Sequence, residues 1–195
     1  MHSISSNKRL FLNNAADFRK YFQVSMLVGT VILLRIFEAN RFPPYYPQAL
    51  FSLAEDAKAK ENVRLEDGYY RTILRIDPKN PKAYYGLGTI YQRKGDTLKA
   101  KYYLREALRV DNKFHEASRD LGFLYERAGQ YALAAHFFKN ALKGAPRHEY
   151  AYHAGRMFVL MGEKKFALSE VGDLKEFGEK EMAEALRNFI QTHLP

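Results

Sequence analysis

No cysteine occurs among the 195 residues, which rules out a disulfide framework, a thiolate metal site and a cysteine nucleophile. Tryptophan is absent as well. The six histidines (His2, His115, His136, His148, His153 and His193) include no pair at i, i+4. His148 and His153 lie five apart, on different faces of a helix. No phosphate-binding Gly-Lys-Ser/Thr loop, H-E-x-x-H, G-x-S-x-G or Gly-rich dinucleotide fingerprint is found. The acidic pairs Glu55-Asp56 and Glu66-Asp67 read as solvated helix surface, so no acid–base pair has a reason to titrate abnormally. The expectation is a chain without catalytic, cofactor-binding or metal-ligating residues and without a small-molecule substrate.

The net charge of +9 is spread unevenly. Six basic and two acidic residues lie in positions 1–46, and the other 25 basic residues are interspersed with 20 acidic ones. No dense basic stripe tracks a phosphate backbone, so nucleic acid is not the expected partner.

A hydrophobic signature recurs every 34 residues across the last two thirds of the chain. Leu87-Gly88 and Tyr91 return as Leu121-Gly122 and Tyr125; Ala100, Leu104 and Ala107 return as Ala134, Phe138 and Ala141. Pro78 and Pro146 stand two periods apart, with Asn112 midway. A fixed period of this length denotes stacked supersecondary units, each of which buries its apolar face only against its neighbours. Gly88 and Gly122 would let two helices approach closely, with Ala100, Ala134 and Ala167 on the facing helix. Gly95, Gly129 and Gly162 fall between helices, where left-handed caps are expected, and Asp96 is placed to cap the next helix. Asp77-Pro78 and Ala145-Pro146 end helices. The aromatics read mainly as core.

The pattern resembles the tetratricopeptide repeat (TPR), whose consensus carries an aromatic, Leu-Gly and Tyr on one helix, Ala, an aromatic and Ala on the next, and a closing Pro. The units fall at 81–114 (Tyr84, Leu87, Gly88, Tyr91, Ala100, Leu104, Ala107) and 115–148, where Ser118 takes the aromatic slot. A degenerate unit at 47–80 keeps Leu53, Tyr70 and Pro78 but has Ala54, Ala57 and Glu66 at consensus slots. A fourth, 149–180, carries Tyr152, Gly155, Phe158, Ala167, Val171 and Leu174 and fits best if its first helix has lost one residue. The segment 179–193 (Met182, Leu186, Phe189, Ile190) has helical period and reads as a terminal cap over 181–195. The expected fold is all-α: a TPR solenoid of about three and a half to four hairpins plus a capping helix, over 49–195.

The resemblance implies a protein-binding concave face lined by the first helices. Its expected residues are Lys82, Tyr85, Thr89 and Gln92, then Glu116, Arg119, Phe123 and Glu126, then Tyr150 and His153, with Tyr85, Phe123 and Tyr150 as partly exposed aromatics. Arg119 and Lys82 would meet acidic groups of a partner. The TPR subclass that clamps a C-terminal carboxylate uses Lys and Asn; here the Asn slots hold Gly86 and Glu55 and the Lys slots Phe51 and Glu116. That clamp is absent, and an extended peptide or a partner helix is the expected ligand.

Ahead of the repeats lies a basic tail, 1–18, and then an apolar segment at 19–38. Tyr21–Leu34 carries no charge, and the run extends past Arg35 to Phe37, the lower length limit for a membrane span. It is apolar all round, which favours a span over an interfacial helix; the competing reading is a buried helix folded back on the first repeat. Lys8, Arg9, Arg19 and Lys20 on one side against Arg35 and Arg41 on the other place the N-terminus inside and the repeats on the far side, periplasmic or the organellar equivalent. No A-x-A-like cleavage site follows, so an uncleaved anchor is expected. Residues 39–48 form a Pro/Tyr linker, extended over 41–48, whose Pro43, Pro44 and Tyr46 satisfy P-P-x-Y. The expected function is a membrane-tethered, non-catalytic scaffold or assembly factor for a membrane or envelope complex. The alternatives are a constitutive subunit of a large membrane complex and a soluble adaptor.

Overall fold

The computed structural model describes residues 46–145 and 147–194. Among these there are nine helices and no strand: α1 (Tyr46–Ala59), α2 (Val63–Ile76), α3 (Pro81–Arg93), α4 (Thr97–Val110), α5 (His115–Arg127), α6 (Tyr131–Gly144), α7 (His148–Leu160), α8 (Lys164–Glu176) and α9 (Lys180–His193). None of them is long and apolar enough to cross a membrane. The expected span at 19–38 lies outside the described residues. At the linker the structure differs from the extended reading: Tyr46, Pro47 and Gln48 already belong to α1. Pro47 is tolerated there because the first helical turn has no intrahelical use for its missing N–H.

Antiparallel neighbours α3/α4, α5/α6 and α7/α8 form hairpins, and each hairpin packs on the next through α2·α3, α4·α5 and α6·α7. Helix α9 covers both α7 and α8. The turns inside hairpins are set by glycine. Gly95, Gly129 and Gly162 have φ of +74°, +69° and +78°, and the N–H three residues past each helix end bonds back five residues (Asp96 to Tyr91, Gln130 to Tyr125, Glu163 to Phe158; 2.8–3.0 Å). This is the Schellman stop, which satisfies carbonyls that the helix leaves open. Gly178 does the same between α8 and α9, so the cap attaches as a third antiparallel helix. Between hairpins the stop is different. Asp77 and Asp111 accept from the N–H of Lys79 (3.1 Å) and Lys113 (2.9 Å), and Asn80 caps α3 through the N–H of Ala83 (3.2 Å). Asp96 caps α4 through the N–H of Lys99 (3.0 Å).

The core is a column of small and large residues in alternation. Ala83, Leu87, Ile90, Ala100, Leu104 and Ala107 are buried, as are their counterparts Ala117, Leu121, Leu124, Ala134, Phe138 and Ala141. The close approach at Gly88 and Gly122 is made by Leu104 and Phe138, one turn beyond Ala100 and Ala134: a Cβ on either glycine would sit 2.8 Å from Leu104 Cδ2 or 2.7 Å from Phe138 Cε1. In the last hairpin the counterpart of Phe138 is the smaller Val171. The space over Gly155 is filled instead by Leu186 from α9.

The fourth unit corrects the expectation about its missing residue. Helix α7 has 13 residues, as α3 and α5 do. The deletion lies in the connection before it: residues 145–147 join α6 to α7, whereas 111–114 join α4 to α5. From α7 onward every position is therefore offset by 33 instead of 34 from the preceding unit.

Two glycines separate steric need from helix propensity. Gly68 in α2 is exposed, and a methyl group on its Cα would meet nothing within 4 Å, so Gly68→Ala is expected to raise stability by about 0.5–1 kcal/mol. Gly122→Ala forces the Phe138 ring aside and is expected to cost about 1–3 kcal/mol. Thermal melts of the two variants, moving in opposite directions, check this.

Candidate protein-binding face

Helices α3, α5 and α7 present successive rungs, and the side chains that project between their buried positions define the candidate face. Tyr85 and Arg119 occupy the same slot in adjacent hairpins. Arg119 Nη2 donates to the Tyr85 hydroxyl at 3.1 Å, and Arg119 Nε donates to Asp120 at 2.8 Å. The Tyr85 ring leans on Phe114 with centroids 5.4 Å apart. Burial pushes the Tyr85 phenol up to about 12, with the nearby Asp120 carboxylate adding to it. Burial also raises the Asp120 carboxyl, against the pull of Arg119. Arg119, itself desolvated, is held charged by Asp120. The guanidinium is thus fixed at both ends with its side chain 30% exposed.

Beside this rung is a hollow of about 480 Å³ lined by Gln92, Arg93, Asp120, Phe123, Glu126 and Arg127. It gathers three expected residues, Gln92, Phe123 and Glu126, with three that the sequence pattern does not single out. Arg93 reaches across to Glu66, which is fully buried in α2. That corrects the reading of Glu66 as solvated. It occupies the slot filled by Ala100 and Ala134 in later units, and an ion pair to the next hairpin compensates its burial. Asp67, its neighbour, is paired with Arg71 (2.6 Å).

The remaining expected residues divide. Lys82 is exposed and Glu116 half-buried beside His115 (3.5 Å). The Thr89 hydroxyl is committed to the Gly86 carbonyl (2.8 Å). Tyr150 is not the partly exposed aromatic expected: it is 1% exposed, its hydroxyl 3.5 Å from His115 Nδ1. The shortened connection before α7 is the reason, because an offset of 33 puts Tyr150 in the slot of the buried Ala83 and Ala117. His153 likewise turns inward, its ring between Phe123 (4.9 Å) and Phe138 (5.1 Å), where burial lowers its pKa and favours the neutral ring. The residues that continue the face are Glu149, Tyr152 and Arg156. Arg156 approaches Glu126 (3.8 Å) and lies over the Phe189 ring (5.4 Å). The length of the connection is visible in the sequence; its place, loop or helix, was the missing signal.

Fold and face together define an all-helical, TPR-like solenoid. The tetratricopeptide repeat family model matches residues 69–102. Among solved structures, a tetratricopeptide repeat protein from Parabacteroides merdae is similar at 21% identity and a TM-score of 0.63, over 74% of this chain. The chain spans 59% of that protein. YrrB, described as a TPR protein with an unusual peptide-binding site, is similar at 18% identity and a TM-score of 0.58, over 83% of this chain and 92% of its own. MamA is similar at 17% identity and a TM-score of 0.57, over 78% and 92%. No curated protein matches the chain by sequence.

Two outcomes are expected from the polar pairs. Arg93→Ala strands the Glu66 carboxylate and should cost about 3 kcal/mol, whereas Glu66→Ala restores the residue type of the neighbouring units and should cost less; chemical denaturation of both compares them. The raised Tyr85 phenol favours the protonated form in the folded state. Its contribution is complete below about pH 10 and is lost as the pH rises towards 12. Tyr85→Phe should therefore flatten the alkaline fall in melting temperature over that window.

Proposed function

We propose that the chain is a non-catalytic scaffold or assembly factor that holds a peptide or helix of a protein partner against the α3–α5–α7 face, tethered to a membrane by residues 19–38. The observation that carries this reading is the fixed Arg119, held between Tyr85 and Asp120 and next to a hollow that offers Phe123 and charges of both signs. A pre-organised arginine flanked by aromatics is the residue combination that dominates interface energy, since little side-chain freedom is left to lose. The likeness to YrrB, described as having a peptide-binding site, supports the same mode.

The uncharged run from Tyr21 to Leu34 supports the tether, and the four basic residues ahead of it support an N-terminus inside with the repeats on the far side. The partner would then belong to a membrane or envelope complex. A second reading, a constitutive subunit of such a complex, is favoured by the large apolar side chains left exposed outside the candidate face, among them Phe166 (53%) and Phe177 (47%).

Native purification in mild detergent distinguishes the two. A sparse set of co-purifying proteins that is lost in Arg119→Gln and Arg119→Glu, with the helical content unchanged, is the expected result for the scaffold. A fixed set of integral proteins at constant stoichiometry, indifferent to Arg119, would replace it with the subunit reading. Recovery without detergent would remove the tether.

A further inference from the structure

The opposite side of the array carries a second groove that the candidate face does not use. Helix α4 turns a stripe at helical spacing outward: Leu98, Lys101, Tyr102, Arg105 and, one turn on, Arg109. Together with Tyr125 of α5 and Phe137 of α6 it borders an open groove of about 640 Å³. The floor is rigid. Tyr125 and Phe137 stack with ring planes 1° from parallel and centroids 5.3 Å apart, and Lys101 sits 4.0 Å above the Tyr125 ring. The rim is apolar and open: Leu98 is 83% exposed and Tyr102 58%. These are large exposures for a leucine and a tyrosine only one turn apart.

The charge of the groove is one-sided. Glu106 is its only acidic lining residue, and Arg109 neutralises it at 2.8 Å. Lys101 and Arg105 have no carboxylate partner among the described residues. Two uncompensated cations above a stacked aromatic floor, beside an exposed leucine and tyrosine, fit an occupant with carboxylates on one face and bulky apolar side chains on the other. The chain's own N-terminal 46 residues, with six basic and two acidic groups, carry the wrong charge. The α4 stripe from Leu98 to Arg109 is about 16 Å long, which matches some three turns of a helix laid along it.

We propose that this outer groove is a docking site for a short, acidic, amphipathic helix of a protein partner, separate from the α3–α5–α7 face. The chain would then hold two segments at once, one on each side of the array. Occupancy here needs nothing from Arg119, so this site and the candidate face stand or fall separately.

The test is selection of a displayed library of random peptides, about 14 residues long, on the full chain in detergent. Binders are then measured against Arg105→Glu, Tyr102→Ala and Arg119→Glu. Arg105 and Tyr102 are exposed, so these variants should keep the native circular dichroism spectrum. The expected result is a class of peptides with Asp or Glu and with Leu or Phe at helical spacing. These should weaken about tenfold on Arg105→Glu, weaken likewise on Tyr102→Ala and remain unchanged on Arg119→Glu. The proposal is overturned if no peptide depends on Arg105, or if those that do are neutral or basic. It is overturned equally by Arg105-dependent dimerisation in sedimentation, which would make the occupant a second copy, and by Arg105-dependent binding to phosphatidylglycerol bicelles in place of peptides. If Arg105-dependent acidic peptides appear while the Arg119 variants co-purify normally, the outer groove stands and the face does not.

Discussion

The array depends on one steric interlock. A glycine on the first helix of a hairpin leaves a gap that a large side chain of the second helix fills, as Leu104 does at Gly88 and Phe138 at Gly122. The contact brings the two backbones to the separation at which the flanking alanines also touch, so Ala100 and Ala134 are fully buried. Dispersion at such density is lost steeply with small displacements, which makes the hairpin geometry discrete. Every outward-facing position inherits its direction from this registration. Because each hairpin packs only on its neighbours, the stability of the whole accumulates along the chain.

The ends of the array keep the principle and change the residues. Tyr70 of α2 lays its ring over Gly86 of the next hairpin, and Leu186 of α9 reaches back over Gly155. Where the repeat pattern breaks, a polar group is buried and met by a neighbouring helix: Glu66 by Arg93, Glu170 by Lys139 at 2.6 Å, and Ser118 by Asn140 at 2.9 Å. Such pairs add little net stability compared with apolar packing. Removing one partner is costly, so the two pairs that join different hairpins, Glu66–Arg93 and Glu170–Lys139, favour the observed neighbours. The Glu66–Arg93 pair also places Arg93 at the edge of the hollow, so an internal registration device shapes the candidate face.

The two sides of the array differ in chemistry because they are built from different helices. First helices supply Arg119, Asp120, Glu126 and Arg127, a mixture of signs close together. On the outer side, α4 brings Lys101 and Arg105 to a stacked aromatic floor with no free carboxylate among the groove's lining residues. Both sides have aromatic rings held rigid by neighbours, which lowers the entropy lost when a partner docks.

Periodicity alone determined the repeat class, the helices and most of the core, because a 34-residue recurrence of Leu-Gly, Tyr and Ala is satisfied by stacked helical hairpins. The family resemblance put Tyr85 and Arg119 forward for the face, and the structure brings their side chains within 3.1 Å of each other. The burial of Tyr150, the inward turn of His153 and the burial of Glu66 were decided only in three dimensions. For Tyr150 and His153 the cause is one residue missing from the connection before α7, which rotates each by a helical step of about 100°. For Glu66 it is Arg93, 27 residues away, whose charge makes burial of a carboxylate tolerable. A pattern reports which positions are equivalent. Whether an equivalent position can hold an unusual residue depends on the groups that reach it from other helices.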